Sequence, residues 1–342
     1  MDFSNFIKRE DLEDSEVIQE PFGLGIHYSM IHFNDSFNQY GKGQLHNFIN
    51  TFRGTKKWIL SSDYAFYNKN KNNDVVTFSL FPHTDDIKKM SGDINKHAPV
   101  DIKKAKSVND EFITFLSDGP VFNISIILDR NRRMHSNEKD YFLHRLDMLI
   151  NLLHYWSGTT PEQKENYQEN ISKLEKTKRL IESPGVNLRI FRDIEIIANL
   201  AAFILTEASI ISDLEIITWI SDRDSMLSFK QDSIGDYLLS QVHSIYHILC
   251  LNNNYSPDGK LLLVKPDLGW NDLYDSFIRI PDYIAGTLAD FDFKTQKNTH
   301  GKFEKIKNGT FAAEDRNLIY ELFFHPNFKA HRHIWGMQQT ED

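Results

Sequence analysis

The stretch that decides the fold is Leu214-Glu-Ile-Ile-Thr-Trp-Ile-Ser-Asp-Arg-Asp-Ser-Met226. Its first eight residues are largely apolar at odd and even positions alike. That pattern predicts a strand buried on both faces, in the interior of a sheet with helices on either side. The strand runs straight into Asp222, Arg223 and Asp224. Carboxylates at the end of a central strand are costly if buried and common where they hold a metal.

Upstream, "KKWILSSDYAF" (56–66) and "VVTFSLFP" (75–82) read as strands separated by the turn-rich "NKNKNND", a hairpin with a loose loop. "GPVFNISIILDR" (119–130) is a third strand. Between these, residues 83–118 are polar and expected to be partly helical. "FGLGIHYSMIHF" (22–33) is expected as a strand pair and "GQLHNFINTF" (43–52) as a short helix. Three helices follow the third strand, at 138–158, 160–183 and about 191–211. Downstream of the opening stretch come a helix (233–251), a short strand "LLLVKPD" (261–267) and a helix "IPDYIAGTLADF" (280–291) with proline in its first turn. "AEDRNLIYELFF" (313–324) is expected as a last helix. Hairpins first and strand–helix alternation later predict an α/β fold, a mixed sheet flanked by helices.

The chain of 342 residues is long enough for a large core, and its 40% hydrophobic and 25% charged content suits a globular protein. The formal net charge of −9 gives no global field for nucleic acid, so phosphate binding would need a local basic patch or bound cations. "IKKAK" (102–106), "RNRR" (130–133) and "KTKR" (176–179) are the main basic clusters, each read as solvated surface. The single cysteine, Cys250, excludes an intramolecular disulfide, agrees with a cytoplasmic location and reads as a core residue. The acidic start lacks the layout of a signal peptide. "IEIIANLAAFILTEASIIS" (194–212) carries Glu195 and Glu207 and is read as a buried helix, with no membrane span expected.

Three carboxylate positions stand at comparable places: Asp63 near the end of the first long strand, Asp222 with Asp224 after the opening strand, and Asp282 in the late helix. Two-metal phosphoryl chemistry needs carboxylates from separate elements converging on ions about 3.5–4 Å apart. Ala285, Gly286 and Ala289 share the helix face of Asp282 and would let that helix approach a sheet. Each aspartate also has a structural reading. Asp282 would favour a helix N-terminus, Asp222 or Asp224 would cap a turn, and Asp63 would precede an Asn-rich turn.

"PDYIAGTLADF" (281–291) resembles the closing helix of an uncharacterised ribonuclease H-like family, whose members carry an "ADLIAGAL" type of motif. "ISDRDSM" (220–226) is similar to that family's middle motif. The family's opening Asp-Glu-Ser-Gly is replaced here by "SSDYAF", so Asp63 stands without the Glu-Ser-Gly. The resemblance covers 56–82 and 212–292. It implies a ribonuclease H-like domain over 1–292, a helical insertion at about 138–211 and a C-terminal helical extension over 293–342. It also implies a metal-dependent nuclease that uses Mg or Mn at Asp63, Asp222, Asp224 and Asp282, with DNA or RNA as substrate. The alternative is a non-catalytic scaffold or sensor that works through a protein partner or a homo-oligomer.

His243 and His247 are four apart on one helix, but lack the glutamate of a zinc-protease motif and read as boundary histidines. His325, His331 and His333 form a His-rich tract of the kind that binds metal adventitiously. "GLGIHY" (23–28) is no dinucleotide fingerprint, and neither a P-loop nor a nucleophile elbow occurs.

Overall fold

The computed structural model describes residues 1, 17–18, 26–98, 100–264 and 271–335. A two-residue ribbon, β1 (Val17–Ile18) against β2 (Ile26–His27), leads into α1 (Tyr28–Tyr40) and α2 (Lys42–Thr51). The hairpin β3 (Lys57–Ala65) and β4 (Asp74–Pro82) follows, then α3 (Ile87–His97), α4 (Asp110–Asp118) and β5 (Phe122–Leu128). Three long helices come next: α5 (Glu138–Thr159), α6 (Lys164–Glu182) and α7 (Leu188–Ser212). The chain continues through β6 (Ile216–Ser221), α8 (Ser225–Ser228), α9 (Gln231–Ile234), α10 (Tyr237–Asn252) and β7 (Leu261–Val264). It closes with α11 (Asn271–Asp290), α12 (Gly301–Thr310), β8 (Asn317–Phe323) and β9 (Lys329–His333).

Seven strands form one mixed sheet in the order β7-β6-β3-β4-β5-β8-β9. The strands β3, β4 and β5 form an antiparallel meander, while β6 and β7 lie parallel to β3 on its free side. On the other flank β8 is parallel to β5, and β9 returns antiparallel. The opening stretch therefore has the expected strand. Trp219 and Ile220, both 1% exposed or less, point to opposite faces.

The sheet separates two apolar cores. One face carries Trp58, Leu60, Phe78 and Trp219 and packs on the α1, α2, α5, α7 and α10 side. The other carries Ile59, Phe81, Ile127 and Ile220 and packs under α3, α4, α11 and α12. The helix α7 is long and apolar enough to cross a membrane, yet 89% of its most apolar window is buried in this chain. Its three buried acids are answered inside the fold, Asp193 by Arg132, Glu195 by Arg145 and Glu207 by the Met1 amine. This is a core helix, as expected.

Several expectations are corrected. Residues 28–33 of the expected strand pair begin α1, while 22–25 lie outside the described residues. The helix expected over 233–251 is broken at Gly235, whose φ of +68° is a left-handed conformation that glycine adopts without strain. The expected strand 261–267 is described to Val264. The helix expected over 313–324 is strand β8 instead, and it is inserted between β5 and β9. Its Leu318, Ile319, Tyr320 and Leu322 are buried on both faces, so tertiary burial overrides the helical spacing. The expected helical extension thus supplies one helix and two strands of the main sheet.

The late helix also starts earlier than expected. Pro281 lies inside α11, ten residues beyond its first residue, Asn271. A proline there has no N–H for the carbonyl of Phe277, four residues back. Ser61 of β3 supplies the missing donor: its hydroxyl donates to the Phe277 carbonyl at 2.9 Å. The break in the helix ladder becomes a bond that fixes α11 on the central strand.

Candidate active site

Strand periodicity decides where the first two aspartates point. Ile59, Ser61 and Asp63 alternate with Trp58, Leu60 and Ser62, so Asp63 faces α11. In the parallel register Ser62 is opposite Ser221, and the Asp222 amide donates to the Ser62 carbonyl at 2.9 Å. Asp222 thus follows Ile220 on the same face, beside Asp63. The side chains of Asp63 and Asp222 lie close enough to act on each other, and Asp222 is one of the causes that raise the Asp63 carboxyl. Asp282 comes from α11, above the sheet. Its Oδ2 accepts from the Ile102 amide at 3.1 Å.

Asp63, Asp222 and Asp282 come close enough for their charges to act on one another. Asp63 is 7% exposed and Asp282 9%, while Asp222 is partly buried. Burial raises the pKa of Asp63 well above the usual carboxylate range, and the charges of Asp282 and Asp222 push it further. Burial also pushes Asp282 up to about 7, helped by the nearby Asp101 and Asp222 and opposed by the Ile102 amide and Lys103. Each carboxylate is a cost to the next, and no arginine or lysine is bonded to Asp63 or Asp282 among the described residues.

Asp224 stands apart. Its Oδ1 accepts from the Met226 amide at 2.9 Å, which makes it the N-cap of α8, and Ser225 Oγ donates to the same oxygen at 3.0 Å. The turn-capping reading accounts for its Oδ1. Arg223 reaches Asp275 of α11 at 3.3 Å, near the surface.

The small residues of α11 work in two directions. Ala285 and Ala289 are fully buried in the core beneath the helix. Gly286 faces the 98–105 segment instead, where an added Cβ would meet Ile102 Cγ2 at 3.3 Å. That segment is strapped along α11. Arg279 donates to the Ala98 carbonyl at 2.8 Å, Tyr283 to that of Val100 at 2.7 Å, and Lys302 of α12 to that of Ile102 at 2.6 Å. It brings Asp101 and Lys103 to the rim of the carboxylates. Asp101 lies in the polar stretch expected to be partly helical, and Lys103 in a cluster read as solvated surface. Asp101 does carry a local signal, since it accepts from the Lys103 amide at 2.7 Å in a tight turn. Nothing in the spacing links residue 101 to residue 282.

Hard oxygen donors from three elements suit Mg or Mn in chemical type. As the side chains stand, however, no three His, Cys, Asp or Glu groups among the described residues surround one point as metal ligands would. Asp63 and Asp222 are turned to each other, and Asp282 to Ile102. The histidines form no such centre either. The His243 and His247 rings stack at 4.3 Å, and His333 binds Glu321 at 3.1 Å. Compared with known proteins, the chain matches no family model, no curated protein and no solved structure.

Proposed function

We propose that this chain is a ribonuclease H-like, divalent-metal-dependent nuclease acting on DNA or RNA in the cytoplasm, with Asp63, Asp222 and Asp282 as its metal-binding carboxylates. The observation that carries this reading is the meeting of these three buried or half-buried carboxyls, from β3, the end of β6 and α11, with no cation bonded to them among the described residues. The antiparallel meander, extended by parallel strands on the free side of its first strand, supports the architecture. A bound Mg or Mn ion would polarise a phosphodiester and lower the pKa of a water. The chain's own part is to present carboxylate oxygens. Asp63 and Asp222 stand side by side at the strand ends, and Asp282 is held by the Ile102 amide on a helix fixed through Ser61. Lys103 lies beside them as a cation for the phosphate.

The test uses purified protein with Mn²⁺ and labelled single- and double-stranded DNA and RNA. Asp222→Ala and Asp282→Ala should each lower cleavage by about 10³-fold or more while circular dichroism stays native. Calorimetry on the unsubstituted protein should show Mn²⁺ binding that both changes remove. Absence of both cleavage and Mn²⁺ binding sinks the reading. In that case the scaffold alternative stands, which is favoured by one specific feature: no three His, Cys, Asp or Glu groups among the described residues are arranged as metal ligands.

A further inference from the structure

On the other face of the sheet, α5, α6 and α10 enclose a groove of about 1060 Å³ that runs to β7. Leu149, Leu153 and Trp156 of α5 line one side, with Tyr167 of α6 opposite. His243 and His247 of α10 complete an aromatic wall. Trp156 lies 6.2 Å from both the Tyr167 and the His247 ring, and His247 stacks on His243. Burial in the groove, with His243 alongside, pushes His247 down to about 4, so this imidazole is neutral at pH 7. The wall is therefore apolar and aromatic.

The charged lining is mostly acidic. Glu162, Glu169, Asp236 and Asp258 line the groove, and Lys173, the one ammonium among the described lining residues, is already bound to Glu169 at 2.6 Å. Two further lining side chains are apolar and more than half exposed, Tyr155 at 55% and Leu251 at 54%. The volume is at the upper end of the range for small-molecule sites, roughly 300–1,000 Å³. A small molecule inside would leave Tyr155 and Leu251 uncovered. A second copy of the chain would bring its own net charge of −9 to an acidic surface.

The geometry points to this groove as the docking site for an amphipathic helix of a partner protein, with apolar anchors on one face and Lys or Arg along its edges. The anchors lie on Leu149, Leu153 and Trp156 at helical spacing, and the flanking cations meet Glu162 and Asp258. Cationic side chains that reach the wall also gain from the faces of Trp156 and Tyr167. This inference is independent of the carboxylate site, and it gives His243 and His247 a place in the wall of an interface.

The probe is a fluorescent peptide of about 18 residues with Leu at i, i+3, i+4 and i+7 and Lys elsewhere. Its control replaces every Lys by Glu. The Lys peptide should bind the full chain and shift the imidazole NMR signals of His243 and His247, and the Glu peptide should not. Leu251→Arg and Asp258→Lys, both at exposed positions, should together weaken binding about tenfold. Asp93→Lys, on α3 across the sheet, should leave it within about twofold. Three results would overturn the proposal. One is no binding by the Lys peptide, and another is an equal loss in Asp93→Lys. The third is a concentration-dependent dimer abolished by Leu251→Arg, which would put a second copy in the groove.

Discussion

Two buried acid clusters lie at the same end of the sheet, on opposite faces, and they are built on opposite principles. At the end of β4, Asp74 and Asp193 share the fully buried Arg132, which donates to them at 2.7 and 2.8 Å. The Tyr67 hydroxyl donates to Asp193 at 2.8 Å, and the Arg132 guanidinium lies 4.5 Å from the centres of the Phe66 and Tyr67 rings. Every charge there has its counter-charge within the chain. Across the strand, burial and like charges hold Asp63 and Asp282 well above the usual carboxylate range, with Asp222 beside them. The difference separates an acid cluster used as a fastener from one whose like charges are left facing each other.

The largest expected effect tests the first half of that contrast. Arg132→Met strands two buried carboxylates and should cost about 3–5 kcal/mol of stability, read from the urea midpoint. Adding Asp74→Asn and Asp193→Asn should recover much of it. A small loss from Arg132→Met alone would show that the cluster is not a fastener.

Asp282→Asn should act with the opposite sign. A carboxyl held at about 7 in the folded state, against about 3.9 in the unfolded chain, keeps its proton longer when folded. The unfolded chain binds fewer protons between pH 4 and 7, so the fold loses stability as pH rises through that window. Asparagine has no proton to lose and can still accept from Ile102. It should stabilise the protein at pH 8 by roughly 2–4 kcal/mol and make no difference near pH 4, read from denaturation at both pH values. Equal effects at the two pH values would break the comparison.

The smallest effect sharpens it. Ser61→Ala leaves the Phe277 carbonyl without its donor and should cost about 1–2 kcal/mol. The same change frees α11 above Asp63, so Mn²⁺ affinity should fall with it. Calorimetry on this variant asks whether the site depends on where the helix is held.

Much of the fold could be read from local pattern. The strand at 214–221, the hairpin at 56–82 and the three helices over 138–211 have strong periodicity, and each is present. Asp63, Asp222 and Asp282 were also legible as a set, since each sits at the end of an element or in a helix facing the sheet. The misses share one cause. β8 carries the spacing of a helix but is captured by two neighbouring strands, and Pro281 sits inside a helix because a serine more than two hundred residues away answers its missing bond. Asp101 and Lys103 reach the site through a strap bound to α11 and α12. Asp224 was legible as a cap and is one. Long-range partners decide all of these positions except the last, and local spacing is silent about them.

The insertion of β8 has a consequence for how the protein is made. Asn123 of β5 is bonded to Asn317 of β8, a separation of 194 residues. At about 5–20 residues per second of synthesis, the outer edge of β5 waits roughly 10–40 seconds for its neighbour. During that interval the nascent chain presents an apolar strand with unmet backbone bonds, the situation that invites pairing with other chains. Strands β8 and β9 thus work as a closing seam, and the birth of this protein depends on what protects that edge until the seam arrives.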